Sequence, residues 1–484
     1  MNLKTISRNV GYALLVSALF MLLSVLVSVL NGNDSALAAL LISFSITFVV
    51  GLFPFIFVRK TSQISLKDGY MIIVLSWLLS FLFGMLPYAL WGGPFTISNA
   101  WFESVSGFTT TGATILEDIE SLPRSLIFWR SSTHFIGGLG IVVFLLLIIP
   151  DTSPLKFRLT NMEISSLSRD GYKSRVNRTV SIFATVYIAL NVLSFLLYLV
   201  AGMSPFDAIN HAFSVSATGG FSTRNLSIGA FDSVWIDLIT MVFMFLSSVH
   251  FGLIFMVFAT RSLKPVRNPV VRLYFWSIIF ITVLSAVALK VTGYAEGWGR
   301  TFLESSFTVL SYASTTGFAI SDNSTWPMLP CFLLLLVSII CGCAGSTTGG
   351  VKIDRILVLV KAVRMQIRRA LHPKSISEIR LGKSILREEN VYPHVLYLCL
   401  YLIMIVVSII VCSVSGASGF DAIAGTISNL GTVGPSIGDI GSMGNYNSQP
   451  DFVKFVFSMD MFFGRVEIYP ILAVFSMVFG KSRQ

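Results

Sequence analysis

Thr109-Thr110-Thr111-Gly112-Ala113-Thr114 returns, with variations, three more times along this chain of 484 residues. The other runs are Ala217-Thr218-Gly219-Gly220-Phe221-Ser222, Ser314-Thr315-Thr316-Gly317-Phe318-Ala319 and Asn429-Leu430-Gly431-Thr432. Taking Gly112, Gly220, Gly317 and Gly431 as equivalent gives intervals of 108, 97 and 114 residues. Phe206-Asp207-Ala208-Ile209 also recurs, as Phe420-Asp421-Ala422-Ile423. Near-equal spacing of this kind marks an internal repeat, which outranks local pattern when an architecture is inferred.

Each run sits between apolar spans. These fall near 9–30, 36–58, 70–91, 127–149, 180–202, 233–260, 270–292, 328–351, 392–414 and 452–478, ten in all. Each is about as long as a helix needs to cross a bilayer. Hydrophobic residues make up 54% of the chain and charged residues 12%, where soluble domains carry roughly 25% charged. A mean hydropathy of +0.79 excludes a disordered chain, a disulfide scaffold and an ordinary cytosolic enzyme. The first span follows Lys4 and Arg8 as a signal peptide would. Its apolar stretch, 10–30, exceeds a signal core, and Asn31-Gly32-Asn33-Asp34 offers no small-residue cleavage pattern. A retained helix is expected.

The net charge of +10 could suggest nucleic-acid binding, but the basic residues sort by loop. With the N-terminus inside, 27 of the 34 Lys and Arg lie in the cytoplasmic segments, ten of them in 352–387 and six in 156–178. The positive-inside rule then puts both termini in the cytoplasm. The excess is a topology signal, and no nucleic-acid partner is expected.

The four outer segments, near 92–126, 203–232, 293–327 and 415–451, run 30 to 37 residues, too long for plain helical hairpins. The repeated unit therefore reads as span, re-entrant half-helix, glycine-containing strand, span. Irregular backbone at membrane depth is tolerated only where protein buries it or it lines an aqueous cavity. A half-helix over 98–109 would be roughly 18 Å long, enough to reach mid-membrane. Its C-terminal end carries partial negative charge and favours a cation on the central axis. The strand after it would present carbonyls in place of the cation's water shell, in dihedrals that call for glycine. Four such segments around a pseudo-fourfold axis build a pore.

These residues resemble the Trk/Ktr/HKT superfamily of potassium transporters over essentially the whole chain. The N-terminal hairpin and His134-Phe135-Ile136-Gly137-Gly138-Leu139-Gly140 resemble its TrkH branch. The resemblance implies K⁺ as the transported ion, no organic cofactor and no enzymatic activity. It implies a selectivity filter from Thr110, Thr111, Gly112, Thr218, Gly219, Gly220, Thr315, Thr316, Gly317, Asn429, Leu430 and Gly431. The implied K⁺ contacts are Thr111, Gly112, Gly219, Gly220, Thr316, Gly317, Leu430 and Gly431. The fourth loop departs furthest, with Thr432-Val433-Gly434 where the branch usually shows Pro-Gly-Leu-Gly. A homodimer seated on a TrkA-like cytoplasmic nucleotide-binding subunit, in a bacterial inner membrane, is also implied.

The eighth span is apolar over 332–340 and then reads Cys341-Gly342-Cys343-Ala344-Gly345-Ser346-Thr347-Thr348-Gly349-Gly350-Val351-Lys352. Each Gly costs a helix about 1 kcal/mol relative to Ala, so a break is expected here. Gly345 and Gly349 have the spacing of a helix-packing surface. The alternative is a mobile gate under the pore, from Gly342, Gly345, Ser346, Thr347, Thr348, Gly349, Gly350 and Lys352; the resemblance implies the gate. Arg465, mid-span, is expensive there and a functional candidate. Either it makes a structural ion pair or it is an electrostatic barrier in the pore, as the resemblance of Gly464-Arg465-Val466-Glu467 implies. Asp460 and the carbonyls of 341–350 are its possible partners. His134, His211 and His250 read as hydrogen-bonding residues at helix ends, Cys341-x-Cys343 lacks a second zinc-ligand pair, and Arg364–Arg369 reads as a basic helix facing lipid headgroups.

The fold expected is an all-α polytopic membrane protein of four covalently linked pore repeats. The N-terminal hairpin takes 1–60, and the repeats take 61–155, 156–262, 263–372 with its broken second helix, and 373–484. An H⁺- or Na⁺-coupled symporter with broken helices is the rival reading. Intramembrane catalysis would leave the four-loop symmetry unexplained.

Overall fold

The computed structural model describes residues 2–58, 65–140, 176–294, 297–372, 379–381, 384–386 and 391–479. The second half of the expected fourth span, most of the 156–178 loop and the basic residues at the C-terminus lie outside them.

Two antiparallel helices lead, α1 (Leu3–Leu30) and α2 (Leu37–Phe57), close enough that a Cβ on Gly11 would press on the Gly51 carbonyl. The first unit holds α3 (Leu66–Gly84), α4 (Leu86–Trp91), the half-helix α5 (Ile97–Phe108) and α6 (Arg124–Leu139). The second holds α7 (Val176–Val200), the half-helix α8 (Pro205–Ala217), α9 (Val234–Ser248) and α10 (Phe251–Thr260). In the third, α11 (Pro269–Val291) and the half-helix α12 (Trp298–Ala313) precede α13 (Met328–Ile339) and α14 (Ile353–Leu371). In the fourth, α15 (Tyr392–Val414) and the half-helix α16 (Gly419–Gly431) precede α17 (Asp451–Val466) and α18 (Ile468–Phe479). Between α14 and α15, β1 (Ile379–Leu381) and β2 (Ser384–Leu386) form a small antiparallel ladder with Ile379 opposite Leu386.

The polarity of the fold is that of a protein in lipid. Large apolar side chains such as Phe48, Phe53, Leu193, Phe280 and Val407 face outward, while Ser17, Ser24, Ser43, Ser76 and the Thr/Ser loops are buried. Ser17, Ser24 and Ser43 return their hydroxyls to the carbonyl four residues back, Ser24 to that of Phe20 at 2.9 Å, which satisfies them without water.

Among the described residues, six helices are long and apolar enough to span a bilayer, and eight if each bent pair counts as one span. The bent pairs are the finding that the ten expected spans did not contain. The stretches expected near 233–260 and 452–478 are not continuous helices: α9 and α10 meet at 102°, and α17 and α18 at 109°. The third unit breaks as its glycines require, with α13 ending at Ile339 and an irregular segment running to Lys352.

Candidate functional site

Three of the four half-helices start on a hydroxyl cap: Thr96, Ser204 and Ser418 accept from the backbone N–H three residues on. Such caps stabilise by about 1 kcal/mol each. All four end identically. The N–H groups of Thr111, Gly219, Thr316 and Val433 donate to the carbonyls of Ser106, Ser214, Ser311 and Ser428, each at 2.9 Å. The preceding residues, Thr110, Thr218, Thr315 and Thr432, have φ of +53 to +55°. This is a Schellman turn whose left-handed position, normally glycine, holds a β-branched residue four times. Such conformations cost roughly 1–3 kcal/mol each and persist where the surroundings enforce them, typically at functional sites.

Two residues further on, Gly112, Gly220, Gly317 and Gly434 again have positive φ, +81, +83, +76 and +90°. A Cβ on Gly112 would collide with the Gly219 carbonyl oxygen, on Gly220 with that of Thr316, on Gly317 with that of Val433, and on Gly434 with that of Thr111. Each loop packs against the next and the fourth against the first, so the contacts close a ring.

The ring corrects the fourth loop. Gly431 is the last residue of α16, Leu430 packs in an apolar cluster with Tyr397, Tyr401 and Ile468, and the Leu430 carbonyl faces Gly464. In the first loop it is the Phe108 carbonyl that faces an inner-helix glycine, Gly137. Asn429, Leu430 and Gly431 are therefore counterparts of Gly107, Phe108 and Thr109. The ring positions are Thr432, Val433 and Gly434. The signal in the sequence was Ser-x-x-x-Thr-x-Gly, present at 106–112, 214–220, 311–317 and 428–434.

Below the ring, 340–352 fills the gap that the bend between α9 and α10 opens. Cys343 N–H donates to the Ser248 carbonyl at 2.9 Å, and Phe251 N–H donates to the Gly345 carbonyl at 3.0 Å. The loop thus supplies partners for backbone groups that the broken helix leaves over. The Thr347 hydroxyl donates to the Ser247 carbonyl at 3.1 Å and accepts from the Thr218 hydroxyl at 3.2 Å. Gly349 lies against the Thr432 side chain. Ser346 and Thr348 share a hydroxyl contact of 2.7 Å. Arg465 reaches the same place from α17, donating to the Thr347 carbonyl and to the Gly137 and Gly138 carbonyls at 2.6 and 3.2 Å. Of its two expected partners, the loop carbonyls are engaged; Asp460 instead accepts from Ser408 at 2.6 Å.

At the end of the loop, Lys352 is 3.4 Å from Glu467, and Arg355 is 2.9 Å from it. Lys352 and Glu467 have φ of +65 and +68°, strained for non-glycine residues. Both stand where a helix breaks. A cavity of about 100 Å³ under the ring is bounded by Gly138, Thr347, Lys352, Arg465 and Glu467. Another of about 80 Å³ on the far side is bounded by Gly112, Gly220, Gly317, Glu117 and Tyr446. Near that mouth, hydrogen bonding from Asn225 holds the exposed Asp118 carboxyl below its ordinary range. The histidines are more varied than expected. His250 caps α10, whereas His134 and His211 lie mid-helix, bonded to Ser214 and Ser222 at 3.1 and 2.9 Å.

A ring of re-entrant loops at the centre of a helical bundle, lined by backbone and hydroxyls, defines a membrane transport protein for a small cation. The profile of the TrkH family, described as a cation transport protein, matches residues 36–483. The chain is 32% identical over 486 residues to the Trk system potassium uptake protein TrkH of Salmonella typhimurium, covering 100% of both. It is 30% identical to the Trk system potassium uptake protein TrkG of Escherichia coli, covering 99% of each. The crystal structure of the potassium transporter TrkH from Vibrio parahaemolyticus superposes with a TM-score of 0.89 at 30% identity, over 99% of this chain and 100% of that one. The chain belongs to the TrkH family of cation transport proteins, and it is a transporter, not an enzyme.

The ring register has a direct stability test. Gly112→Ser and Gly434→Ser each place a side chain at positive φ against a neighbouring carbonyl, and both should lower the melting temperature in detergent by several degrees. Leu430→Met, a volume-conserving core change, should cost less than about 1.5 kcal/mol. Scanning fluorimetry of the purified variants reads all three.

Proposed function

We propose that the chain takes up K⁺ through the ring, with the backbone oxygens of Thr111, Gly112, Gly219, Gly220, Thr316, Gly317, Val433 and Gly434 standing in for the ion's water shell. The observation that carries the reading is the closed chain of glycine-to-carbonyl contacts among four loops. Four half-helices end there, and each C-terminus brings about half a negative charge to the axis. In this reading Thr110, Thr218, Thr315 and Thr432 form the inner edge of the filter. The chain lies in a bacterial inner membrane with both termini cytoplasmic, the orientation that the distribution of Lys and Arg favours.

The 340–352 segment is the gate. Thr347 and Arg465 meet directly under the second loop, and a guanidinium at that point opposes a passing cation electrostatically. Opening requires the Arg465 contacts to Thr347 and Gly137 to part, and the Lys352/Arg355–Glu467 bridge joins the two helix breaks where such a motion would hinge. The command comes from outside the chain: α14 carries Arg364, Arg368 and Arg369 from the end of the gate loop, and a cytoplasmic TrkA-like nucleotide-binding subunit acting on a homodimer would pull on it. The hairpin and four repeats at the boundaries 1–60, 61–155, 156–262, 263–372 and 373–484 complete this reading, with membrane lipids as the remaining partner.

Flux into liposomes tests the pore. The protein should pass K⁺ and Rb⁺ ahead of Na⁺ and Li⁺, and Gly112→Ser should reduce that preference about tenfold or more; an unchanged preference would remove the ring from the filter role.

The gate predicts an opposite sign. Arg465→Ala and Glu467→Gln should each raise basal Rb⁺ flux several-fold without the regulatory subunit, by loosening the segment. Flux at or below the wild-type level in both would contradict it.

Coupling of K⁺ to H⁺ is the second reading, and one residue favours it. Asp460 is buried within α17, with one carboxyl oxygen on Ser408 and the other without a hydrogen-bond partner among the described residues. If it carries a coupling proton, Asp460→Asn should abolish K⁺-driven acidification or alkalinisation of the liposome lumen. If the pore is passive, the variant should transport K⁺ with no proton signal, as the wild type does.

A further inference from the structure

Behind the seam between the first and second loops lies a buried ion pair that the pore reading does not use. Glu103 on α5 and Arg130 on α6 both have fully buried side chains, and Arg130 Nη2 is 2.7 Å from Glu103 Oε1. Arg130 Nε donates to the same oxygen at 2.7 Å. Glu103 also accepts from the Thr114 hydroxyl at 3.0 Å and from the Ile115 N–H at 3.1 Å. Those residues lie two and three positions beyond Gly112. Arg130 adds a donor to the Thr114 hydroxyl at 3.2 Å. Its guanidinium carbon then lies 4.1 Å from the centre of the Phe221 ring, the residue directly after Gly220. His134 stacks on the same ring at 4.1 Å, and a Cβ on Gly219 would overlap the His134 ring.

One planar cation therefore holds the strands after two different ring glycines. Only guanidinium supplies both the fork of donors and the flat face that this requires. The other loops are braced differently. Nine residues before each ring glycine stand Glu103, His211, Thr308 and Gly425. Two residues after it stand Thr114, Ser222, Ala319 and Ser436. In the second loop His211 meets Ser222 at 2.9 Å, and the Asp207 carboxylate accepts from the Thr223 hydroxyl at 2.6 Å and pairs at 3.0 Å with Arg224, which is part-exposed. In the fourth, Ser436 donates to the Ala424 carbonyl at 2.7 Å, and the Tyr446 hydroxyl donates to the Gly434 carbonyl at 2.7 Å. Among the described residues, a buried ion pair backs the ring only at the seam of loops one and two.

We propose that Arg130 and Glu103 are positioning residues for cation discrimination, fixing the distance between the backbones of the first and second loops. The inference rests on the glycine ring being the filter. The pair acts through geometry, because its two opposite charges are in direct contact and both side chains are fully buried, with Arg130 in the wall of the cavity on the far side of the ring. A ring of carbonyls discriminates ions of similar size through their number and spacing, so slack at one seam should cost selectivity before it costs conduction.

Single removal of Arg130 would leave Glu103 charged and buried, which threatens folding. The test is therefore the paired variant Glu103→Gln/Arg130→Met, together with Thr114→Val, which removes the hydroxyl ties from the first loop to both members of the pair and leaves the ion pair and the Ile115 N–H bond intact. Each is reconstituted beside the wild type and Gly112→Ser, and the ratio of K⁺ to Na⁺ flux is read along with the melting temperature. The proposal expects both variants to stay folded and to lose about tenfold in that ratio, with K⁺ flux within a few-fold of wild type. Arg130→Lys keeps the charge without the fork or the flat face and should not rescue the ratio. A wild-type ratio in folded Thr114→Val and in the folded pair, with Gly112→Ser still impaired, overturns the clamp and leaves the filter standing. A wild-type ratio in Gly112→Ser as well would remove the filter reading itself, and the clamp with it.

Discussion

Four chain segments must leave helical geometry in the middle of a membrane, and everything else in the structure follows from how that backbone is satisfied. Each half-helix closes on the same turn, with the N–H of residue 111, 219, 316 or 433 on the carbonyl of a serine five residues back. The turn forces a threonine into left-handed geometry. The glycine two residues on then lets the neighbouring carbonyl approach its Cα. No loop is complete alone, because the atom filling the space over each glycine belongs to the next repeat. The strain in the threonines, roughly 1–3 kcal/mol apiece, is held by closure of the ring.

The same logic explains the broken helices. A straight inner helix in the second unit would occupy the space that 340–352 fills. Instead α9 stops at Ser248, and its leftover carbonyls bind the loop's N–H groups. A straight helix in the fourth unit would carry Glu467 away from Lys352 and Arg355; the bend after Val466 brings it to them. The interruptions in three units are thus complementary, and the segment under the ring is held by contacts to all four: Gly137 through Arg465, Ser247 and Thr218, its own helices, and Thr432.

The class of fold and the position of three loops were legible because they rest on local chemistry: twenty-residue apolar runs, glycine where the backbone demands it, and a glycine-rich interruption of the eighth span. The fourth loop was misplaced by three residues. Gly431 looks like a ring glycine beside Asn429-Leu430, but only tertiary packing reveals that α16 runs on to it and that Leu430 belongs to the core. Aligning Ser428 and Thr432 with Ser106 and Thr110 would have corrected the register. The bends at 249–250 and at Glu467 left only faint traces, Gly252 and Pro470 in the first turns after the breaks, within otherwise apolar runs. The Glu103–Arg130 pair was equally hidden. Its partners are 27 residues apart, and Arg130 by itself reads as one more basic residue outside the cytoplasmic segments, near the start of the expected fourth span.

The central claim is that residues 111–112, 219–220, 316–317 and 433–434 surround one axis on which K⁺ binds. Anomalous diffraction from crystals grown with Rb⁺ or Tl⁺ tests it without relying on flux. The account predicts anomalous peaks on that axis within about 3 Å of backbone oxygens from all four of these segments. Peaks confined to the cavity beside Arg465, or coordinated by Leu430 and Gly431 in place of Val433 and Gly434, would contradict it.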